Sequence, residues 1–295
     1  MTDGKLPVTV GYDGSEEADE AVDWAAVEAD RLGTELVVLL ATDTSTLERS
    51  GDSVGRGHSP RIEEQAKEVA EAGAARARVA VPGLAVSTHT TALGAAAALR
   101  ETSTKSRLVV VGRRSRARLS DAVMGTVQFA VATHAECPVV VVPTQGDVTT
   151  GLTLPVVVGV DGSEGSIAAL REAADAASRR DADLIVVCAW KPRASWSSIP
   201  LTNDRAGHEE AHRARSAATE TMGRARELLD EEFPELTLRE IVAEGRPSTL
   251  LARESSRAGL VVVGARGQGD LSGMLLGSVG RNLIYRSDCP VAIIR

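Results

Sequence analysis

The sequence predicts two tandem copies of a doubly wound α/β domain, each a five-stranded parallel sheet with helices on both faces. The chain repeats itself, its short β-branched apolar runs alternate with longer helix-like segments, and those runs are continuous rather than alternating. Val8-Thr9-Val10-Gly11-Tyr12-Asp13-Gly14-Ser15 recurs as Val156-Val157-Val158-Gly159-Val160-Asp161-Gly162-Ser163, displaced by 148 residues. Leu108-Val109-Val110-Val111-Gly112 recurs as Leu260-Val261-Val262-Val263-Gly264, and Cys137-Pro138-Val139 as Cys289-Pro290-Val291, both displaced by 152. Three matches in one order, with a single four-residue slip, mark a duplication. The domains are expected at 1–146 and 153–295, with the polar stretch from Thr144 to Gly151 between them.

The elements follow in order. Val8-Thr9-Val10 places the first strand near 6–12, and a helical pattern covers 16–32. Leu36-Val37-Val38-Leu39-Leu40 places the second strand near 35–42; such an unbroken run suits a strand buried on both faces. A helix near 61–80, a strand near 84–91 and a helix near 92–104 come next. The valine run places the fourth strand near 107–112, a helix covers 125–135, and Cys137-Pro138 leads into a fifth strand near 138–143. The second copy gives strands near 154–160, 183–190, 236–243, 259–264 and 290–294. Strand–helix alternation with five strands predicts a flavodoxin-like (Rossmann-like) order, with ligands at the strand C-termini and the switch point between strands one and four.

Composition narrows the function. A chain of 295 residues fits two domains. Thirty-three Lys+Arg against 41 Asp+Glu give a net charge of −8, which disfavours duplex nucleic acid, whose binding rests on phosphate neutralisation. Aromatic residues at 2% leave no stacking platform for single strands. No apolar run approaches the ~18 residues of a membrane helix, and the segment from Met1 to Pro7 carries no apolar signal region. Three cysteines make no disulfide framework. The expectation is a cytoplasmic globular protein that engages neither nucleic acid nor membrane.

The glycines gather at the expected switch point. Strand one of the second copy ends in Gly159-Val160-Asp161-Gly162-Ser163; strand four ends in Gly264-Ala265-Arg266-Gly267, and nine residues later comes Gly277-Ser278-Val279. Glycines permit close backbone approach and positive φ. A helix starting at Ser278 would offer the N–H groups of Gly277 and Ser278 to an anion. Asp161 faces the same crevice, able to accept from an adenine amino group or a ribose hydroxyl. Ser15 and Ser163 compete with Asp13 and Asp161 as helix N-caps, which frees the aspartates.

The pattern Gly264-x-x-Gly267, nine residues, Gly277-Ser278 resembles the nucleotide-binding signature of the universal stress protein family, in its ATP-binding branch. The resemblance extends over nearly the whole chain, one domain per copy, with Asp161 and Cys289-Pro290 fitting as well. It implies an ATP-binding regulator of the stress response, with Mg²⁺ carried by the phosphates and no established catalytic residues. Carried onto this sequence, it assigns the loop glycines Gly264, Gly267 and Gly269 and the pair Gly277-Ser278 to phosphates and ribose, and Gly159, Asp161 and Ala189 to the adenine pocket. Val160, Val263, Arg266, Gln268 and Val279 complete the ATP-binding set that it implies.

The first copy supplies Gly11, Tyr12, Asp13, Ala41, Gly112, Arg113, Ser115, Arg116, Gly125, Thr126 and Val127 at the matching positions. It departs from the signature at Ser115, where serine costs on the order of 1–2 kcal/mol if positive φ is needed. Arg113, Arg114, Arg116 and Arg118 on that loop would attract an anion or simply form a solvated surface. Nucleotide binding by the first copy therefore stays open.

Other motifs are weaker. His208-Glu209-Glu210-Ala211-His212 matches a zinc-protease helix, but its flanks are polar and no third ligand is marked. Gly267-Gln268-Gly269 with Gly273 is a loosened dinucleotide fingerprint that follows the wrong strand. None of Lys5, Lys67, Lys105 and Lys191 sits in a P-loop frame, which excludes Walker-type hydrolysis. Cys137, Cys188 and Cys289 read as buried, inert thiols, and His134 as a helix-end residue.

The alternatives to a binding regulator are a slow ATPase or phosphotransferase and a nucleotide-free interaction module. Strand five of each copy would be a sheet edge, so the copies are expected to dock as a pseudo-dimer, with further homodimerisation and an unidentified regulatory protein as partners.

Overall fold

The computed structural model describes residues 5–43, 60–113, 126–144, 154–192, 205–268 and 276–295. The chain separates into two compact units, Met1–Val148 and Thr149–Arg295.

In the first unit the strands are β1 (Val8–Gly11), β2 (Leu36–Ala41), β3 (Val86–Thr91), β4 (Leu108–Gly112) and β5 (Val139–Val142). They are interleaved with α1 (Glu16–Leu32), α2 (Pro60–Ala80), α3 (Ala95–Ser103) and α4 (Thr126–His134). All pairings are parallel, in the order β3-β2-β1-β4-β5. The second unit repeats this with β6 (Val156–Gly159), β7 (Leu184–Trp190), β8 (Leu238–Glu244), β9 (Leu260–Gly264) and β10 (Val291–Ile294). Its helices are α5 (Glu164–Arg180), α6 (Arg205–Glu232), α7 (Pro247–Ser255) and α8 (Ser278–Arg286). The order is β8-β7-β6-β9-β10.

This is the Rossmann-like order 3-2-1-4-5, as expected for a doubly wound sheet, and not the flavodoxin-like 2-1-3-4-5. The third strand adds outside the second, and the chain then crosses back to lay the fourth beside the first. The reversal still falls between strands one and four, where the glycines were expected to meet. In each unit the first two helices pack together, and so do the last two, which covers both sheet faces.

Burial explains the sequence pattern. Val8, Val10, Val109 and Val110 are fully buried, because the central strands carry helices on both sides. Ser87, Thr88 and His89 are exposed on the outer strand β3, where a polar run is tolerated. Ser15 and Ser163 cap α1 and α5, accepting from the backbone N–H of Ala18 and Ser166 at 3.2 Å each. The aspartates are left to other partners. Among the described residues no helix is long and apolar enough to cross a membrane.

Candidate functional site

In the second unit a crevice of about 250 Å³ opens at the C-terminal ends of β6 and β9. Gly159, Val160 and Asp161 line it from the end of β6, and Ala189 from β7. Val263, Gly264, Arg266 and Gly267 line it from β9 and the turn beyond, and Gly277, Ser278 and Val279 from the start of α8. Eleven of the thirteen residues expected for this copy therefore share one crevice. Gln268 touches its wall through Asp161, and Gly269 lies outside the described residues.

The glycines are there for space. A Cβ on Gly264 would stand 2.7 Å from the carbonyl of Gly165, and one on Gly165 2.9 Å from the carbonyl of Arg266. The N-terminus of α5 thus presses directly on the end of β9. A Cβ on Gly267 would stand 2.5 Å from Oδ2 of Asp161, and Gly267 is not in the positive-φ region. The signature's second glycine is consequently required by that carboxylate and not by its backbone angle. Positive φ belongs instead to Gly162, at 84°, in the Asp-Gly-Ser turn.

Asp161 is the centre of the site. Its Oδ1 accepts from the backbone N–H of Ser163 at 2.9 Å and from the Ser163 hydroxyl at 2.6 Å; its Oδ2 accepts from the backbone N–H of Gln268 at 2.9 Å. Burial works against the charge, but the bonds from Ser163 and Gln268 outweigh it and hold the carboxyl below its ordinary value. The aspartate expected to be free for a ligand is engaged on both oxygens. With about four acceptor positions on an ionised carboxylate, one remains.

The amide supply also differs from expectation. Gly277 is the N-cap of α8, and its N–H donates to the carbonyl of Ala265 at 2.7 Å, so it is not offered to the crevice. That bond ties the helix start to the end of β9. The first intrahelical bond runs from Arg281 to Gly277, which leaves Ser278, Val279 and Gly280 as the donors of the first turn. Arg266, exposed at the rim, adds a positive charge.

Sequence reasoning missed Ser166, Val187, Pro247, Leu251 and Gly280, which complete the lining. The Ser166 hydroxyl accepts from the N–H of Asp161 at 3.3 Å and of Gly162 at 3.1 Å, fixing the turn that carries the aspartate. Leu251, 1% exposed, packs on Gly159, where a Cβ would come within 2.8 Å of its Cδ1. A signal for it existed: Leu99 stands 152 residues earlier and packs against Gly11 in the same way.

The first unit has a crevice of about 170 Å³ at the matching place. Gly11, Tyr12, Asp13, Ala41, Gly112 and Val127 line it as expected. The Arg113 N–H donates to the Val142 carbonyl, and Thr126 begins α4. Ser115, Arg116 and Gly125 lie outside the described residues.

The remaining motifs resolve locally. His208 and His212 are exposed on α6, where Glu209 pairs with Arg213, and among the described residues no three acidic, His or Cys side chains gather around a metal position. Cys137, Cys188 and Cys289 are buried free thiols, and His134 ends α4 with Nδ1 at 3.0 Å from the Ala130 carbonyl.

Fold and crevice together define a duplicated doubly wound α/β protein with a bare, amide-lined cleft at its switch point. Residues 6–143 and 154–295 both match the universal stress protein family, and the chain belongs to that family. A universal stress protein of Mycobacterium tuberculosis is 30% identical over 306 residues, covering 98% of this chain and 96% of its own. One of Mycobacterium bovis is 30% identical over 292 residues, with the same coverage. Among solved structures, a universal stress protein from Archaeoglobus fulgidus superposes with a TM-score of 0.69 at 19% identity over 98% of both chains. That similarity is one of fold.

Proposed function

We propose that the second unit binds an adenine nucleotide, ATP with its Mg²⁺ carried by the phosphates, and that the chain acts as a nucleotide-dependent regulator in the stress response. One observation carries the reading: the crevice meets the open first turn of α8, with Ser278, Val279 and Gly280 as donors, at a wall where side chains have been removed. Helix dipole, unpaired amides and the Arg266 charge all favour phosphate there. The apolar side, Val160, Val187, Ala189 and Leu251, suits a flat base. The remaining acceptor position of Asp161 suits an exocyclic amino group or a ribose hydroxyl.

Regulation would follow from differential affinity: ATP favours one arrangement of the crevice rim, and a partner protein reads it. Turnover is disfavoured. Asp161 is the one carboxylate among the described residues lining the crevice, and its bonds to Ser163 and Gln268 make it a weak base.

Isothermal titration with ATP, AMP and GTP tests the reading. Saturable binding of ATP over GTP is expected, weakened by Gly267→Ala. Equal affinity for GTP refutes the adenine assignment, and an unchanged Gly267→Ala affinity refutes the site. Intact ATP recovered after prolonged incubation separates a regulator from a slow ATPase.

A further inference from the structure

We infer that the second unit docks a basic polypeptide segment, seating a lysine or arginine side chain in an acidic groove at the end of its sheet opposite the crevice.

The groove, of about 380 Å³, lies between the turn from α5 into β7 and the turn from α6 into β8. Ala177, Phe233 and Leu236 give it apolar surface, and Asp181, Asp183 and Glu235 stand around it, all three exposed. Both helices end here: Asp181 is the C-cap of α5, and α6 stops at Glu232, one residue before Phe233. Two helix C-termini thus add their negative ends to three carboxylates. Among the described residues no cation pairs with any of the three. Of the basic residues in the last turn of α5, Arg179 pairs with Asp175, and Nη1 of Arg180 donates to the Ala176 carbonyl.

The first unit shows what such a place takes. Its matching turns are Gly33-Thr34-Glu35 and Pro82-Gly83-Leu84. The second pair of turns is built alike, with Leu84 N–H donating to Val81 and Leu236 N–H to Phe233, at 3.2 and 3.1 Å. Nζ of Lys5 donates to the carbonyl of Leu32, the last residue of α1, at 3.2 Å. It stands 3.4 Å from the place of a Cβ on Gly33. An ammonium therefore sits at the C-terminus of α1, over the position from which Asp181 projects in the second unit.

Along the repeat, Lys5-Leu6-Pro7 matches Thr153-Leu154-Pro155, Gly33 matches Asp181, Glu35 matches Asp183 and Gly83 matches Glu235. Thr153 lies outside the described residues, but a threonine has no ammonium to offer. The second unit has lost the resident cation and gained two carboxylates. Asp181 keeps the left-handed backbone of Gly33, with φ of 49° against 62°, so the cap keeps its shape while the charge around it turns negative.

The surroundings choose among cations. A small divalent ion needs several oxygens converging on one point, and among the described residues no three acidic, His or Cys side chains gather around a metal position. The carboxylates instead border an apolar floor. That arrangement suits the methylene stem of a lysine or arginine, with its charged head at the rim. A polypeptide carrying several such side chains reaches separated carboxylates that one small cation cannot.

Fluorescence anisotropy of a labelled octalysine peptide with the full-length chain, at physiological ionic strength, tests the inference. Saturable binding is expected. Asp181→Gly combined with Asp183→Asn and Glu235→Gln should weaken it by about tenfold or more; glycine is the residue that the first unit already uses at the cap. Glu64→Gln combined with Glu68→Gln and Glu101→Gln, which removes three exposed carboxylates of the first unit, should leave affinity within about twofold. Equal weakening by the two variants means diffuse attraction to an acidic protein and overturns the inference, as does the absence of binding. The lysine-acetylated peptide, tested on the wild-type chain, should not bind. Binding that survives acetylation, or that micromolar Ca²⁺ abolishes, also overturns it.

Discussion

The backbone N–H of Gln268 donates to Oδ2 of Asp161 at 2.9 Å, joining residues 107 apart in the chain. The carboxylate that closes the turn after β6 therefore also fixes the turn after β9, and the two walls of the crevice are set by one side chain. Gly267, immediately before Gln268, has the same oxygen 2.5 Å from where its Cβ would go, so any larger residue there must displace the carboxylate.

Gly267→Ala and Asp161→Ala are expected to be strongly coupled. Overpacking at Gly267 should cost about 1–3 kcal/mol in urea unfolding. In the Asp161→Ala background the added methyl meets no carboxylate, so the double variant should be more stable than the sum of the singles by about 1 kcal/mol or more. Additive effects would show that the close approach does not decide this position.

The charge of Asp161 gives a signed pH dependence. Its folded-state value lies below the ordinary carboxyl range, so its stabilisation is fully present above about pH 4 and is lost as pH falls through the folded value. The stability gap between wild type and Asp161→Asn should be widest near neutrality and close in acid. A gap that widens on acidification would contradict the hydrogen-bond pattern described.

Leu251 and Leu99 are matched floor residues, 1% and 2% exposed. Truncating either to alanine should destabilise its unit by roughly 2–4 kcal/mol. Only Leu251→Ala should also weaken ATP binding. Equal losses of affinity from both variants would mean that both crevices are occupied.

The thiols should be silent in the folded state. Burial, with the nearby charge of Asp161, pushes the Cys188 thiol up to about 11, and Cys137 and Cys289 are also buried. A thiolate-selective reagent at pH 8 should find almost no reactive thiol in native protein and three in denaturant. Rapid native labelling would show that a cysteine reaches solvent.

Period and repetition were enough to make the fold legible. The helix expected at 16–32 is found at Glu16–Leu32, and the fourth strand expected at 107–112 is Leu108–Gly112. Continuous Val runs can be satisfied only between two helical layers, and the repeat supplied each signal twice. The site was legible as a set of positions, since glycine, serine and aspartate at fixed spacing are visible without coordinates. What each position does was not. Whether Gly267 is required by φ or by a neighbouring oxygen, whether Asp161 is free or engaged, and whether Gly277 offers its N–H or spends it on Ala265 are facts about atoms far apart in the chain. Glu17 and Gln128 read as ordinary helix residues until the turns of α1 and α4 aim them into one crevice. Local chemistry and periodicity fix which elements form; only their packing decides which polar groups have partners and which space is left for a ligand.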